Sequence, residues 1–332
     1  MKILDMHCDT LYELMADKKK GVAYSLRTNE HHLDLMRMKK GDYLLQCFAV
    51  FVDMAESASP LVCGMKLVDL YYEELNKNRD IIAPVLCYED IENNIRAGKM
   101  SAMLTGEEGQ ICDGSIEILR NYYRLGMRMM TLTWNHENQL AYPNNIMKDK
   151  NDVCGLCPDN VNGLKEKGFE FIAEMERLGM IIDVSHLSDA GFWDIYNHTL
   201  KSFVASHSNA RAVCPHPRNL TDDMIRAMGE RGCVVGLNYC GAFLDIYGCE
   251  PGEHESRIVD MVKHVKHITT VGGMDIMALG SDFDGIGGKL ELEGCDRMSR
   301  LTEALCRAGF HESDVDKILY KNALRVFKEC IG

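Results

Sequence analysis

Eight short apolar runs, each separated from the next by a stretch long enough for a helix, constrain this chain more than any other feature. The runs are Lys2–His7, Leu44–Val52, Ser101–Gly106, Met127–Trp134, Met180–His186, Phe203–His207, Cys233–Tyr239 and Ile276–Asp282. Each is about the length of a strand buried on both faces. Apolar residues recur at helical spacing over Ser59–Asn78, Asn162–Gly179, Asn219–Gly232 and Ser256–Gly273. Gly179 is placed as a C-terminal stop and Thr221 as an N-cap. Strands joined by helical crossovers imply a parallel sheet. Eight is the number that closes into a barrel filled by its own side chains. The expected fold is therefore a (β/α)8 TIM barrel with extra helices at the C-terminus, one domain over residues 1–332. A doubly wound open sheet is the competing architecture. No GxGxxG follows the first run and no P-loop is present, so nothing cradles a nucleotide phosphate.

The net charge of −13, with no clustered basic surface, argues against a nucleic-acid partner. No stretch of 18 apolar residues occurs, so no membrane span is expected. The start MKILDMHCDT lacks a signal-peptide apolar run, and the end RVFKECIG lacks a hydrophobic anchor tail. The 14 cysteines are spread through a long chain, several in apolar runs (Cys47, Cys87, Cys233, Cys240), which reads as reduced, buried thiols of a cytoplasmic protein. Cys154 and Cys157 form a lone CxxC, read as an ordinary loop. The loops around Ala141–Asn160 and Leu244–Glu255 show no readable pattern.

Polar residues collect at the carboxyl ends of the runs: His7 and Asp9, Glu107 and Glu108, Asn135 and His136, His186, His207, Asn238 and Asp282. In a (β/α)8 barrel those ends share one face, where active sites lie. Any one of these histidines alone reads as a hydrogen-bonded core residue. Several imidazoles and carboxylates converging there suit zinc or a similar divalent ion. His7 and Asp9, two apart on a strand, point to the same side. The competing role for Asp9 is to cap, with Thr10, a helix starting at Leu11.

The motifs DMHCDT, LTGEEG, DVSHLSD, ASHSNARAVCPHPRNLTDD and LGSDFDG occur in this order from Asp5 to Gly285. In them the chain resembles the amidohydrolase superfamily and, more closely, the membrane (renal-type) dipeptidases, zinc peptidase family M19. The resemblance implies a two-zinc site. His7, Asp9 and Glu108 would bind one ion, and Glu108, His186 and His207 the other, with Glu108 as bridge. Glu108 is chosen over Glu107 because the family's bridging Glu directly precedes the glycine; the residues alone do not separate the two. Arg218, with Arg211 as competitor, would hold the substrate carboxylate. Asp282, with Asp284 two residues on, would accept the proton of the attacking water. Several family members carry a His directly after the TLT run. Here Trp134 stands there, so either His136 takes its role at the scissile carbonyl or a zinc ion alone does.

The expected activity is hydrolysis of small dipeptides, with tolerance of a D-residue at the C-terminal side implied by the resemblance. Lactone or N-acyl amide hydrolysis, or non-catalytic metal binding, are the alternatives. The missing secretion and anchor signals resemble the soluble bacterial branch, and a homodimer is a family-level expectation.

Overall fold

The computed structural model describes residues 2–144, 157–245 and 254–332. Among these residues nine strands follow in chain order: β1 (Ile3–Asp5), β2 (Tyr43–Phe51), β3 (Ile82–Pro84), β4 (Met100–Glu107), β5 (Met127–Thr131), β6 (Ile181–Asp183), β7 (Val204–Ala205), β8 (Val234–Leu237) and β9 (Met277–Leu279). All pairings between them are parallel. Eight close a ring in the order β1-β2-β4-β5-β6-β7-β8-β9, with Asp5 against Leu279 completing it. These are the eight runs of the sequence, and the fold is a (β/α)8 barrel.

The ninth strand, β3, has no counterpart in the sequence reading. It pairs with Met100–Ala102 of β4, on the stretch of edge that β5 does not reach, since β5 pairs from Leu104 onward. Three residues ending in a proline carry too little pattern to read as a strand.

The helices lie where the helical spacing put them: Pro60–Lys77, Glu166–Leu178, Asp222–Arg231 and Ile258–Gly272. Thr221 caps the third by accepting from the Met224 N–H at 3.3 Å. Gly179 and Gly232 end their helices in the left-handed conformation, with φ of 77° and 78°. No described helix is long and apolar enough to cross a membrane.

Two apolar layers follow from the period-2 alternation of the strands. One face sends Leu4, Leu45, Cys47, Met103, Met129, Ile181, Val204, Val234 and Ala278 into a single buried cluster. The other packs under the surrounding helices, with Phe48, Val50, Leu104 and Val235 among its members. The helix Asn322–Ile331 joins the first cluster through Ala323, Val326, Phe327, Cys330 and Ile331. It thereby covers the end of the barrel opposite the polar strand ends. Cys8, Cys47, Cys112, Cys233 and Cys295 are buried thiols. Cys87, read from the sequence as buried, is exposed at the start of the helix Tyr88–Arg96. Cys154 of the CxxC lies outside the described residues.

Phe327 is fully buried. Truncating it opens a cavity against the strand interior, so Phe327→Ala is expected to cost about 3–5 kcal/mol in chemical denaturation. An unchanged midpoint would show that the helix merely rests on the barrel.

Candidate metal centre and active-site mouth

The carboxyl ends of β1, β4, β6, β7 and β9 converge as the barrel requires. His7 and Asp9 follow β1, and His7 Nε2 lies 3.4 Å from Asp9 Oδ2. Asp9 stands at the start of the helix Thr10–Lys20, but its side chain makes no capping bond. Its carboxylate serves the cluster and not the helix end.

Glu107, the last residue of β4, occupies the centre. Its Oε2 is 3.2 Å from His7 Nε2, and its Oε1 is 3.0 Å from His186 Nε2 and 3.5 Å from His207 Nε2. This corrects the choice of Glu108. At Glu108 the backbone leaves strand geometry with φ of 96°. Its carboxylate turns away, accepting from Trp134 N at 3.0 Å, Gln110 N at 2.8 Å and the Asn138 amide. Strand parity contained the answer, because Met103 faces the barrel interior and Glu107 lies four residues on, on the same face. Glu108 instead organises the loop that carries Trp134.

His186 and His207 close the far side, with their Nε2 atoms 2.9 Å apart. His186 Nδ1 is 3.0 Å from Asn135 Oδ1. Gly236 and Gly280 allow the chain to pass here. A Cβ at either would fall 1.9 or 1.7 Å from the Ser206 carbonyl oxygen. His186 and Asp282 have φ of 68° and 62°, left-handed values that aim both side chains at the cluster.

Asp282 and Asp284 are separated by their partners. Asp284 accepts from Thr10 Oγ1 and from His32 N, both at 2.6 Å, and is fully committed there. Asp282 receives Asn238 Nδ2 on Oδ2 at 2.9 Å and turns Oδ1 toward His7, 3.8 Å away. Asp5, which the sequence reading passed over, accepts from Ser281 N at 2.9 Å and His7 N at 3.2 Å, tying the ends of β1 and β9 together.

Burial dominates the electrostatics. It pushes Asp9 up to about 8, reinforced by Glu107, and Asp282 up to about 6 against the pull of His7. Burial also lowers His186 to about 4, helped by Arg218. It opposes charge on His7 as well, but Glu107 and Asp9 outweigh it and raise that imidazole well above its usual value. Glu107 is held low because His7, His186 and His207 together overcome its burial. Among the described residues, His7 Nε2 and Asp9 Oδ1 are buried without a hydrogen bond. Oxygen and imidazole donors with unmet bonding capacity, all within 4.8 Å of one another in the groups His7–Glu107–His207 and His7–Asp9–Asp282, fit a divalent cation.

Arginine partners also differ. Arg211 grips Asp189 with both terminal nitrogens, at 2.6 and 2.7 Å, and donates to Asn219 O and Pro217 O. Arg218 is buried and, among the described residues, its side chain has one 3.3 Å bond to His207 O and no partner for Nε. A buried guanidinium with donors to spare suits an anion. His136 stays outside the cluster. Its Nε2 is 3.3 Å from Asp53 Oδ1, and its ring lies against Trp134. The cavity over the cluster, about 300 Å³, is lined by Trp134, Asn135, Phe51, Tyr12, Phe243 and Cys240 around the carboxylates.

Removing Arg211 leaves buried Asp189 without its ion pair, so Arg211→Met is expected to lose about 3 kcal/mol of stability. Arg218→Met, which replaces a buried, underpaired cation by an apolar chain, is expected to change stability by less than about 1 kcal/mol. Urea titration of the two variants checks the contrast.

A family model described as membrane dipeptidase, peptidase family M19, matches residues 1–331. The uncharacterized protein in the pqqA 5′ region of Klebsiella pneumoniae is 35% identical over 269 residues, covering 79% of this chain and 96% of that protein. An uncharacterized dipeptidase of Schizosaccharomyces pombe is 30% identical over 349 residues, covering 99% of this chain and 80% of that protein. Among solved structures, a metallopeptidase from Rhodobacter sphaeroides, crystallised with a phosphinate mimic of the dipeptide L-Ala-D-Ala, superposes with a TM-score of 0.88 at 23% identity over 99% of both chains.

Proposed function

The chain belongs to peptidase family M19, the membrane dipeptidases, and on that premise we propose that it is a binuclear zinc dipeptidase cleaving small dipeptides, L-Xaa-D-Xaa among them. The observation that carries the reading is Glu107: one carboxylate oxygen faces His7, and the other faces His186 and His207. His7, Asp9 and Glu107 would hold one ion, and Glu107, His186 and His207 the other. Bound there, two zinc ions would supply a nucleophilic water at neutral pH and positive charge for the developing oxyanion.

The protein's own groups do the remaining work. Asn238 fixes one oxygen of Asp282 and leaves the other toward the cluster. That free oxygen, turned toward the cluster, would take the water's proton and return it to the leaving amine. Arg218 would receive the C-terminal carboxylate of the substrate on its spare donors. That contact limits length, since a third residue would displace the carboxylate from the guanidinium. His136 is engaged at the rim by Asp53, 3.3 Å away, which supports leaving the scissile carbonyl to the metal ions alone. The dipeptide mimic bound by the Rhodobacter relative supports a D-residue on the C-terminal side. Buried thiols throughout the core support a reducing, cytoplasmic setting.

Metal analysis together with turnover on L-Xaa-D-Xaa and L-Xaa-L-Xaa panels tests the reading. Two zinc ions per chain and chelator-sensitive cleavage are expected. Lactone hydrolysis without dipeptide cleavage would overturn it. Glu107→Gln should lose metal and at least about a thousandfold in kcat/KM, whereas Glu108→Gln should retain both ions. Arg218→Met should raise KM about a hundredfold, with kcat less affected. Unchanged kinetics would remove Arg218 from substrate binding.

A further inference from the structure

Both histidines on the far side of the cluster follow a serine: Ser185-His186 and Ser206-His207. The two hydroxyls are 3.3 Å apart, and Ser185 Oγ accepts the His207 N–H at 3.1 Å. Beneath them lies Asp183, the last residue of β6 and 1% exposed. No Lys or Arg pairs with it among the described residues. Its charge is met by hydrogen bonds sorted by oxygen. Oδ1 accepts two backbone donors, Ser185 N at 3.0 Å and Ser206 N at 2.8 Å. Oδ2 accepts two hydroxyls, Thr131 Oγ1 at 2.7 Å and Ser206 Oγ.

Ser206 Oγ has a second neighbour, His207 Nδ1, at 2.7 Å. A hydroxyl carries one proton, and an ionised carboxylate can only accept. The Ser206 hydroxyl therefore donates to Asp183 Oδ2, and the short contact to His207 is left to be an Nδ1–H donating to Ser206 Oγ. His207 is then bare at Nε2, the atom that faces Glu107 Oε1 at 3.5 Å and His186 Nε2 at 2.9 Å. We propose that Asp183, acting through the Ser206 hydroxyl, is a positioning residue that locks His207 in the Nδ1–H tautomer and so keeps its Nε2 lone pair permanently aimed at the metal centre.

This rests on the metallo-dipeptidase reading for its purpose, though not for its geometry. The arrangement differs from that of His186, whose Nδ1 partner Asn135 belongs to the loop lining the mouth. The His207 lock lies wholly inside the barrel and spans the ends of β5, β6 and β7.

The sorting of donors makes a sharp test. In Asp183→Asn the two backbone donors require the amide oxygen at the Oδ1 position. The NH2 group then takes the Oδ2 position and donates to Ser206 Oγ. The Ser206 proton is then released to its nearest remaining acceptor, His207 Nδ1 at 2.7 Å in preference to Ser185 Oγ at 3.3 Å, which shifts the imidazole toward Nε2–H. Ring-nitrogen NMR of the metal-free, histidine-labelled full chain reads the tautomer directly. The wild type should show Nδ1–H at His207 and Asp183→Asn should show Nε2–H. Chelator competition should then give 10–100-fold weaker zinc binding in the variant, the usual effect of losing such a partner. Ser206→Ala, which removes the relay and keeps Asp183, should show a mixed tautomer and a similar loss. Thermal melts of the metal-free proteins separate this from a general loss of fold. Nδ1–H retained in both variants, with zinc affinity unchanged, would overturn the proposal. A wild type that bound no divalent ion and cleaved no dipeptide would instead overturn the functional reading, while the NMR result would still decide the tautomer.

Discussion

Glu107 is the point on which the molecule turns. A carboxylate 2% exposed cannot stand in a protein interior unless other groups hold its charge. Here three imidazoles do so, each delivered by a different strand end. None of the three is near Glu107 in sequence; only ring closure brings them within about one hydrogen-bond length of it. The barrel is thus the means by which residues 7, 107, 186 and 207 share one charge. The asparagines and aspartates around them serve the same end. Asp5 ties β1 to β9, Asn238 fixes Asp282, and Asn135 holds His186.

The fold was legible because its signal is repetitive. Each ring strand is an apolar run of strand length, and eight such runs with helical spacers leave few architectures open. The strand that escaped, Ile82–Pro84, is too short to show a period. At the site, convergence that follows from strand position was readable: His7, His186, His207 and Asp282 all lie where a barrel would bring them together. The Glu107–Glu108 pair was misassigned because the backbone turns to φ 96° directly after the strand, and a family habit was followed where strand parity pointed to the other residue. Arg218 against Arg211, and Asp282 against Asp284, depend on which side chain is already engaged. Partners such as Asp189, Thr10 and His32 are distant in sequence, so only the folded chain distinguishes these neighbours.

Trp134 shows how a departure from a motif is absorbed. Its backbone N–H is held by Glu108, and its ring packs between Phe51 and His186. Trp134 thereby lines the cavity over the cluster beside Asn135. His136 is drawn to Asp53 on the rim.

Glu108, His186 and Asp282 all adopt left-handed backbone angles that a side chain disfavours by about 1–2 kcal/mol and glycine does not. At His186 and Asp282, whose side chains belong to the cluster, folding and chemistry favour different amino acids. A glycine there would relax the backbone while dismantling the centre. Improvement of this protein by selection for heat resistance or expression alone would drift toward well-folded, inert barrels, and abundance in the cell would be a poor measure of how much enzyme is present.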